Sequence, residues 1–433
     1  MLIEFSLTNF RSFKERATFS MVSGTSKEVR EKFSHETGFK TPPYVLKNSV
    51  IMGPNGSGKT GLIQAVDRMV DMVLNSAKGR QEGEPLPYLP YKLSAATRSA
   101  DTEFEVVFIH QDTRFQYGFS FNAKRVTGEW LFATPLGGRV QRWFERRSDL
   151  GADDGWYINP SLKGERDTWR KATRDNALFL STAMQLNAET LRQPFEWFRK
   201  LRVIESSQRI SPKETADLVE DFGEEEVLPF IRVIDETVQS IHVVNYTQDA
   251  GKKTSYSTSN LAAEIVKIMA KSLRRTDVLF GRTDDIGELV SFDIKDESDG
   301  IKILFSLISP LIRALDFGAT VFVDELHNSL HPLALRYLVD LFNNPETNPN
   351  KAQLVFTTHD VSILSSDIVT ADHVWLAERK AGEGSRLTPM SDFHVRQNEA
   401  LEKGYMGGRY GGLPVIRPLA QRGAAPQERK DDP

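Results

Sequence analysis

An α/β fold whose parallel strands carry titratable residues at their ends is what this sequence predicts, and three observations predict it. The stretch GPNGSGKT, residues 53–60, stands between an apolar run, Ser49-Val50-Ile51-Met52, and a segment with helical spacing. Two later apolar runs, ATVFVDEL and AQLVFTTHD, each end in charged or imidazole side chains. Between the first run and the later pair lie FEVVFIH, RFQYGFSFN and VTGEWLFA, which read as an antiparallel meander.

The elements follow in order. IEFSLTNFRSF and RATFSMV alternate apolar and polar residues, as half-buried strands do. Residues 49–52 read as a buried strand, and 61–74 as a helix with Leu62, Ile63, Val66, Met69, Val70 and Val73 on one face. A linker rich in Pro and Gly, residues 82–90, leads into the meander, where Gln111-Asp112-Thr113 reads as a turn. Residues 1–186 thus form a first lobe, and 187–285 a mostly helical insertion with polar loops at 223–226 and 249–260. Residues 286–380 return to strands and helices through SFDIK, IKILFSLISPLIRAL, ATVFVDEL and AQLVFTTHD, making a second lobe. Residues 381–420 read as a C-terminal docking segment, and 421–433, rich in charge, Pro and Ala, as a disordered tail.

Composition narrows the function. A chain of 433 residues exceeds one ordinary core and fits two or three subdomains. With 39% apolar and 26% charged residues it has the make-up of a soluble globular protein. No run approaches the roughly 18–20 apolar residues of a bilayer span, so no membrane role is expected. Cys is absent, which excludes disulfides, thiolate zinc sites and Cys nucleophiles. The N-terminus lacks signal-peptide architecture, and a cytoplasmic location is the simple expectation. The formal charge of −4 argues against a whole-molecule grip on nucleic acid. The basic clusters at 142–147 and 271–275 read as solvated faces.

The loop itself fits G-x-x-x-x-G-K-[ST]. Gly53, Pro54, Asn55, Gly56, Ser57, Gly58, Lys59, Thr60 and Gly61 are therefore candidate nucleotide-binding residues. Glycines let successive N–H groups turn inward, and the helix N-terminus beyond favours an anion. Lys59 is placed to reach the β- and γ-phosphates of ATP, and the Thr60 hydroxyl to ligate Mg²⁺. ATVFVDEL ends a strand in two carboxylates: Asp324 suits the Mg²⁺ shell and Glu325 a general base on the attacking water. His359 ends the next apolar strand, where a neutral imidazole can hydrogen-bond a γ-phosphate. His327 and His331 stand four apart, but with no third ligand in evidence a zinc site is not expected.

Taken in order, NFRSF, GPNGSGKT, ESDGIK, VFVDELHNSLHP and FTTHD resemble the ABC-type ATPase head of the structural-maintenance, double-strand-break-repair and overcoming-lysogenization-defect proteins. The resemblance implies a two-lobed P-loop NTPase head with a β-meander in lobe one and a helical insertion before lobe two. It also implies a homodimer or higher homo-oligomer, each ATP lying between the loop of one subunit and a signature segment of another. Here 297–300, E-S-D-G, stands where the family has L-S-G-G, keeping Ser298 and Gly300 as implied γ-phosphate contacts. From the residues alone, Ser298 before an apolar helix is also a good N-cap. Residues 328–331 fall where the dimer-crossing loop lies. By the same resemblance Arg11 is the basic residue that approaches nucleotide, and Gln185 in LFLSTAMQLN is the Gln that links magnesium to the insertion.

NFRSFKERATFSMVSG, ESDGIKILF, ELHNSLHP and DFHVRQNEALEKGYMGGRYGGLP further resemble the AAA-family proteins of the RloA and abortive-infection AbiLii group. Those are associated with phage defence, beside a second protein carrying a TOPRIM-like or other effector. The insertion is too short for a long antiparallel coiled coil, and the segment after His359 too short for an appended TOPRIM nuclease. Effector activity, nuclease or toxin, is therefore expected from a partner. Three readings stay open at this point: an ATPase gating such an effector, a repair or recombination ATPase acting directly on DNA, and an ATP-dependent assembly scaffold with little turnover.

Overall fold

The computed structural model describes residues 1–24, 26–150, 155–205, 210–246, 275–365, 367–380, 382–393, 395 and 400–413. Its centre is a six-stranded sheet in the order Arg202–Ile204, Thr320–Val323, Gln353–Thr357, Asn48–Met52, Val374–Lys380, Gly384–Pro389. The first five strands run parallel, and the last pairs antiparallel with Val374–Lys380.

Side-chain alternation along these strands divides the apolar interior in two. Ile51, Phe322, Val355 and Ala377 face one cluster. Val50, Met52, Val321, Val323, Leu354 and Phe356 face the other. The first cluster is completed by helix Lys59–Asn75 and by a seven-stranded antiparallel sheet, in the order 156–158, 141–147, 126–135, 113–121, 102–110, 2–8, 17–20. Trp197 of helix Arg192–Lys200 stacks on Phe108 at 4.0 Å between ring centres, joining that helix to the meander. The second cluster is completed by helices Asp299–Phe317 and Pro332–Asn343. The result is a mixed α/β fold with a large antiparallel sheet, as the sequence suggested. No helix among the described residues is long and apolar enough to cross a membrane.

The turn expected at 111–113 is a two-residue hairpin loop, with Gln111 and Asp112 at φ of 48° and 55°. Several expectations need correction. Among its described residues the segment 187–285 carries strands as well as helices. Strand Arg202–Ile204 joins the parallel sheet beside Thr320–Val323, and Ser240–Tyr246, Arg275–Thr283 and Leu289–Asp293 form a separate three-stranded sheet. A three-residue strand shows no period, and an open sheet edge rather than local propensity decides its state. The boundary at 285/286 consequently falls in the turn of a hairpin, and that at 380/381 in another. Residues 247–274 of the insertion, four of the five basic-cluster residues at 271–275, and the tail 421–433 lie outside the described residues.

The cluster at 142–147 is not simply a solvated face. Its residues form strand Gln141–Arg147, and Arg146 points inward, 7% exposed, against the fully buried Glu129. The Gly- and Tyr-rich stretch near the C-terminus is packed rather than loose. Tyr405 donates from its hydroxyl to the Gly412 carbonyl at 2.8 Å, and the Gly412 N–H donates to Glu378 Oε1 at 2.6 Å. Tyr410 is buried against Phe393, which fixes this cluster on the strand Val374–Lys380.

Candidate functional site

The strand Asn48–Met52 is buried along its whole length and delivers the chain to Gly53 at the C-terminal edge of the sheet. Gly53, Gly56 and Gly58 take φ of 149°, 76° and 115°, conformations that an L side chain resists. Space also requires glycine: a Cβ on Gly53 would meet the Ala377 carbonyl, and one on Gly58 would sit 2.6 Å from Ser385 Oγ and 3.0 Å from Ser12 Oγ. Helix Lys59–Asn75 then starts with Gly58 as its N-cap, with no side-chain cap and no acidic residue in its first turn. Its leading N–H groups therefore have no side-chain acceptor, the condition under which a helix start suits an anion. Pro54 is partly buried, Asn55 and Gly56 are exposed, and Ser57 is buried with no hydrogen-bond partner for its Oγ.

Lys59 is 5% exposed and donates to the carbonyls of Gly53 at 2.8 Å and Pro54 at 3.2 Å, closing the loop on itself. Burial lowers its pKa to about 8, against the opposing pull of Asp324 and Glu325. A phosphate is the kind of partner that such a buried ammonium suits. Gly61 packs on the Phe13 ring, and Thr60 lies exposed on the helix's first turn.

Both carboxylates emerge beside this helix start, just past strand Thr320–Val323. Asp324 is 3% exposed; its Oδ1 accepts from Thr357 Oγ1 at 2.6 Å, and the Thr60 hydroxyl bonds it too. Burial raises its pKa, and the two hydroxyls and Lys59 work against that rise. Glu325 adopts φ of 52°, and its Oε2 accepts from Asn328 Nδ2 at 2.6 Å. His359 follows the neighbouring strand Gln353–Thr357 and faces His327, ring centres 5.6 Å apart. Burial lowers the pKa of both, opposed at His327 by the Glu325 and Asp360 carboxylates and reinforced at His359 by Lys59, which favours the neutral imidazole in each. No group of three His, Asp or Glu side chains placed to hold a metal ion occurs among the described residues. His331 instead caps helix Pro332–Asn343 by accepting from the Leu333 N–H.

The structure thus brings together the loop 53–61, Asp324, Glu325 and His359. Arg11 sits on an adjoining turn whose Phe10 and Phe13 are buried and bonded to each other's backbone. Its neighbour Ser12 touches the loop at Gly58, while the exposed Arg11 lies 6.0 Å over the Phe10 ring. Gln185 is not brought in. It is exposed at the end of helix Phe179–Gln185, whose first turn is tied to Ser76 at the far end of helix Lys59–Asn75, and it hydrogen-bonds neither Thr60 nor Asp324. Ser298 is exposed and caps helix Asp299–Phe317 through Ile301 N–H, so its N-cap role is real. A Cβ on Gly300 would lie 2.7 Å from the Ser329 carbonyl, which joins the 297–300 segment to the 328–331 loop. Glu297 forms a two-pronged pair with Arg282 that also holds Asp235, which gives its acidic side chain a structural partner.

Three residues at the site were missed in the sequence. Thr357 and Ser385 are buried hydroxyls against Asp324 and Gly58, and Ser12 completes the wall of the loop. Thr357 stands inside FTTHD, where a polar residue closing the apolar run Leu354-Val355-Phe356 was the available signal.

A glycine-lined loop on a helix start, with a buried lysine and two strand-end carboxylates, defines a nucleotide-binding protein of the ATPase type. The chain belongs to the family described as "AAA domain, putative AbiEii toxin, Type IV TA system", whose profile matches residues 49–365, more than half of it. No curated protein matches the sequence. Similar solved structures include an SmcHead bound to the C-winged helix domain of ScpA, at 13% identity and a TM-score of 0.43, covering 89% of this chain and 96% of that one. The SMC head domain from Thermotoga maritima is 13% identical, with a TM-score of 0.36 and coverages of 90% and 98%. The recombination mediator protein RecF-ATPrS is 13% identical, with a TM-score of 0.33 and coverages of 87% and 95%.

Proposed function

We propose that this protein is an ABC-type ATPase that binds and hydrolyses Mg-ATP at a subunit interface, and gates a partner effector, a TOPRIM-like nuclease or toxin, in anti-phage defence. The observation that carries the reading is the convergence of Lys59, Thr60, Asp324, Glu325 and His359 at one edge of the parallel sheet. The N–H groups at the start of helix Lys59–Asn75 and the Lys59 ammonium bind the phosphates. Thr60 and Asp324 would hold Mg²⁺, which when bound would offset phosphate charge. Glu325, oriented by Asn328, takes the proton from attacking water, and neutral His359 donates to the terminal phosphate.

Ser298 and Gly300 serve the nucleotide of a neighbouring copy, a reading supported by the exposure of Ser298 and by the contact of Gly300 with the 328–331 loop. The resemblance to the RloA and AbiLii group supports the effector and the defence setting. Light scattering after gel filtration tests the assembly. Glu325→Gln in Mg-ATP is expected to run as a dimer or larger species, and Ser298→Arg in that background as a monomer that still binds nucleotide. An unchanged size with and without ATP rejects the shared site. Affinity isolation of Glu325→Gln in ATP is expected to carry a stoichiometric nuclease-like or toxin-like protein; DNA with repair factors in its place favours a DNA-acting ATPase.

A further inference from the structure

We propose that Thr357 is a positioning residue for hydrolysis, setting the magnesium carboxylate and the general base with one hydroxyl. The inference rests on the nucleotide-site reading above and deepens it. Thr357 is fully buried at the end of strand Gln353–Thr357 and reaches sideways to the end of Thr320–Val323. Its Oγ1 donates to Asp324 Oδ1 at 2.6 Å and accepts from the Glu325 N–H at 2.7 Å. Its carbonyl accepts from the Leu326 N–H at 3.1 Å, so one residue grips three consecutive positions of the neighbouring chain.

The grip has a conformational purpose. Glu325 has φ of 52°, a region that a non-glycine residue enters only when its surroundings dictate it. The Glu325 N–H held by Thr357, the Glu325 carbonyl accepting from Asn328 N–H at 3.0 Å, and its carboxylate held by Asn328 fix that conformation from three sides. A hydroxyl is the one small group that both donates and accepts, and β-branching limits its rotamers, so Thr fits where Val and Ser each supply half. The same strand leads directly to His359, and the Thr358 N–H donates to the Ile51 carbonyl on the strand that feeds the phosphate loop. Thr357 thereby ties base and metal carboxylate to the strand that leads to His359. A Thr filling only a buried strand end needs none of these bonds to Asp324 and Glu325.

The test is steady-state phosphate release together with Mg²⁺ titration of the fluorescence of an N-methylanthraniloyl ATP analogue. Thr357→Val is expected to lower kcat by roughly 10–100-fold and to raise the Mg²⁺ needed for half-maximal binding by a similar factor, as loss of an outer hydrogen-bond partner does. Thr357→Ser is expected to recover most of both losses. If Thr357→Val does not fold, Thr357→Ala carries the same expectation without added bulk. Wild-type kcat and Mg²⁺ dependence in Thr357→Val, with Glu325→Gln inactive, overturns the inference and leaves the site reading intact. Full turnover in both Lys59→Ala and Glu325→Gln removes that reading, and this inference with it.

Discussion

Replacing Arg146 with Met tests how the antiparallel sheet holds the helix Phe179–Gln185. Glu129 has no exposed surface, and its carboxylate accepts from Tyr117 Oη at 3.0 Å and from the N–H groups of Phe179 at 2.6 Å and Leu180 at 3.0 Å. Among the described residues Arg146 is the cation paired with it, with Nε 3.0 Å from Oε2, and it also donates to the Ala177 carbonyl. Tyr117 remains a donor, because burial and the adjacent Glu129 carboxylate hold its pKa well above the usual phenol value. Removing one partner of a buried pair costs about 3–5 kcal/mol, since the other charge is left uncompensated. Three neutral donors remain on Glu129, which puts the expected cost of Arg146→Met near the lower end, about 3 kcal/mol.

The assay is urea unfolding followed by tryptophan fluorescence, with Trp130, Trp143 and Trp156 on the same sheet as reporters. Adding Glu129→Gln is expected to recover part of the loss, because an amide needs no counter-charge although its NH2 replaces one of the two acceptor oxygens. A loss below about 0.5 kcal/mol in Arg146→Met, or a double variant no more stable than the single, refutes the reasoning.

Other expectations follow from the same structure. Gly58→Ala places a Cβ against Ser385 and Ser12 on a backbone at φ of 115°; it is expected to fold and to lose at least about tenfold in nucleotide affinity, read by the fluorescent ATP analogue. His35 and His373 are buried, and burial lowers their pKa values to about 4 and about 3. Their unfolded forms take up protons first as pH falls below about 6.5, so the stability they allow is complete above that pH and is lost toward pH 4 and below, by up to about 1.4 kcal/mol per pH unit for each. Urea midpoints at pH 7 and pH 5 check this: the midpoint should fall, and fall less in His35→Gln, whose amide can still donate to the Ala352 carbonyl as the His35 ring does.

How much of this was legible depended on whether short-range pattern or long-range pairing made each element. The strand Asn48–Met52, helix Lys59–Asn75 and the 111–112 turn announce themselves through an apolar run, a helical stripe and a two-residue loop, and each lies where the sequence puts it. Arg202–Ile204 exists because Thr320–Val323 offers it an edge, and no local pattern of three residues encodes that. Arg146 reads as solvent-facing in a run of arginines and glutamates, and only strand alternation and the placement of Glu129 turn it inward. That the loop, Asp324, Glu325 and His359 would lie together was legible because each stands at the end of an apolar strand, and strands of one sheet bring their ends to one edge. Thr357 and Ser385 were not, because a buried hydroxyl acquires its meaning from the neighbour it meets across the sheet.

The most direct test of the account is phosphate release by the purified wild-type protein and Glu325→Gln under saturating Mg-ATP, with nucleotide binding measured on the same samples. The account predicts binding close to wild type in Glu325→Gln and turnover lower by roughly 10²–10⁴-fold, the range for loss of a general base. Phosphate release by Glu325→Gln at the wild-type rate would contradict it.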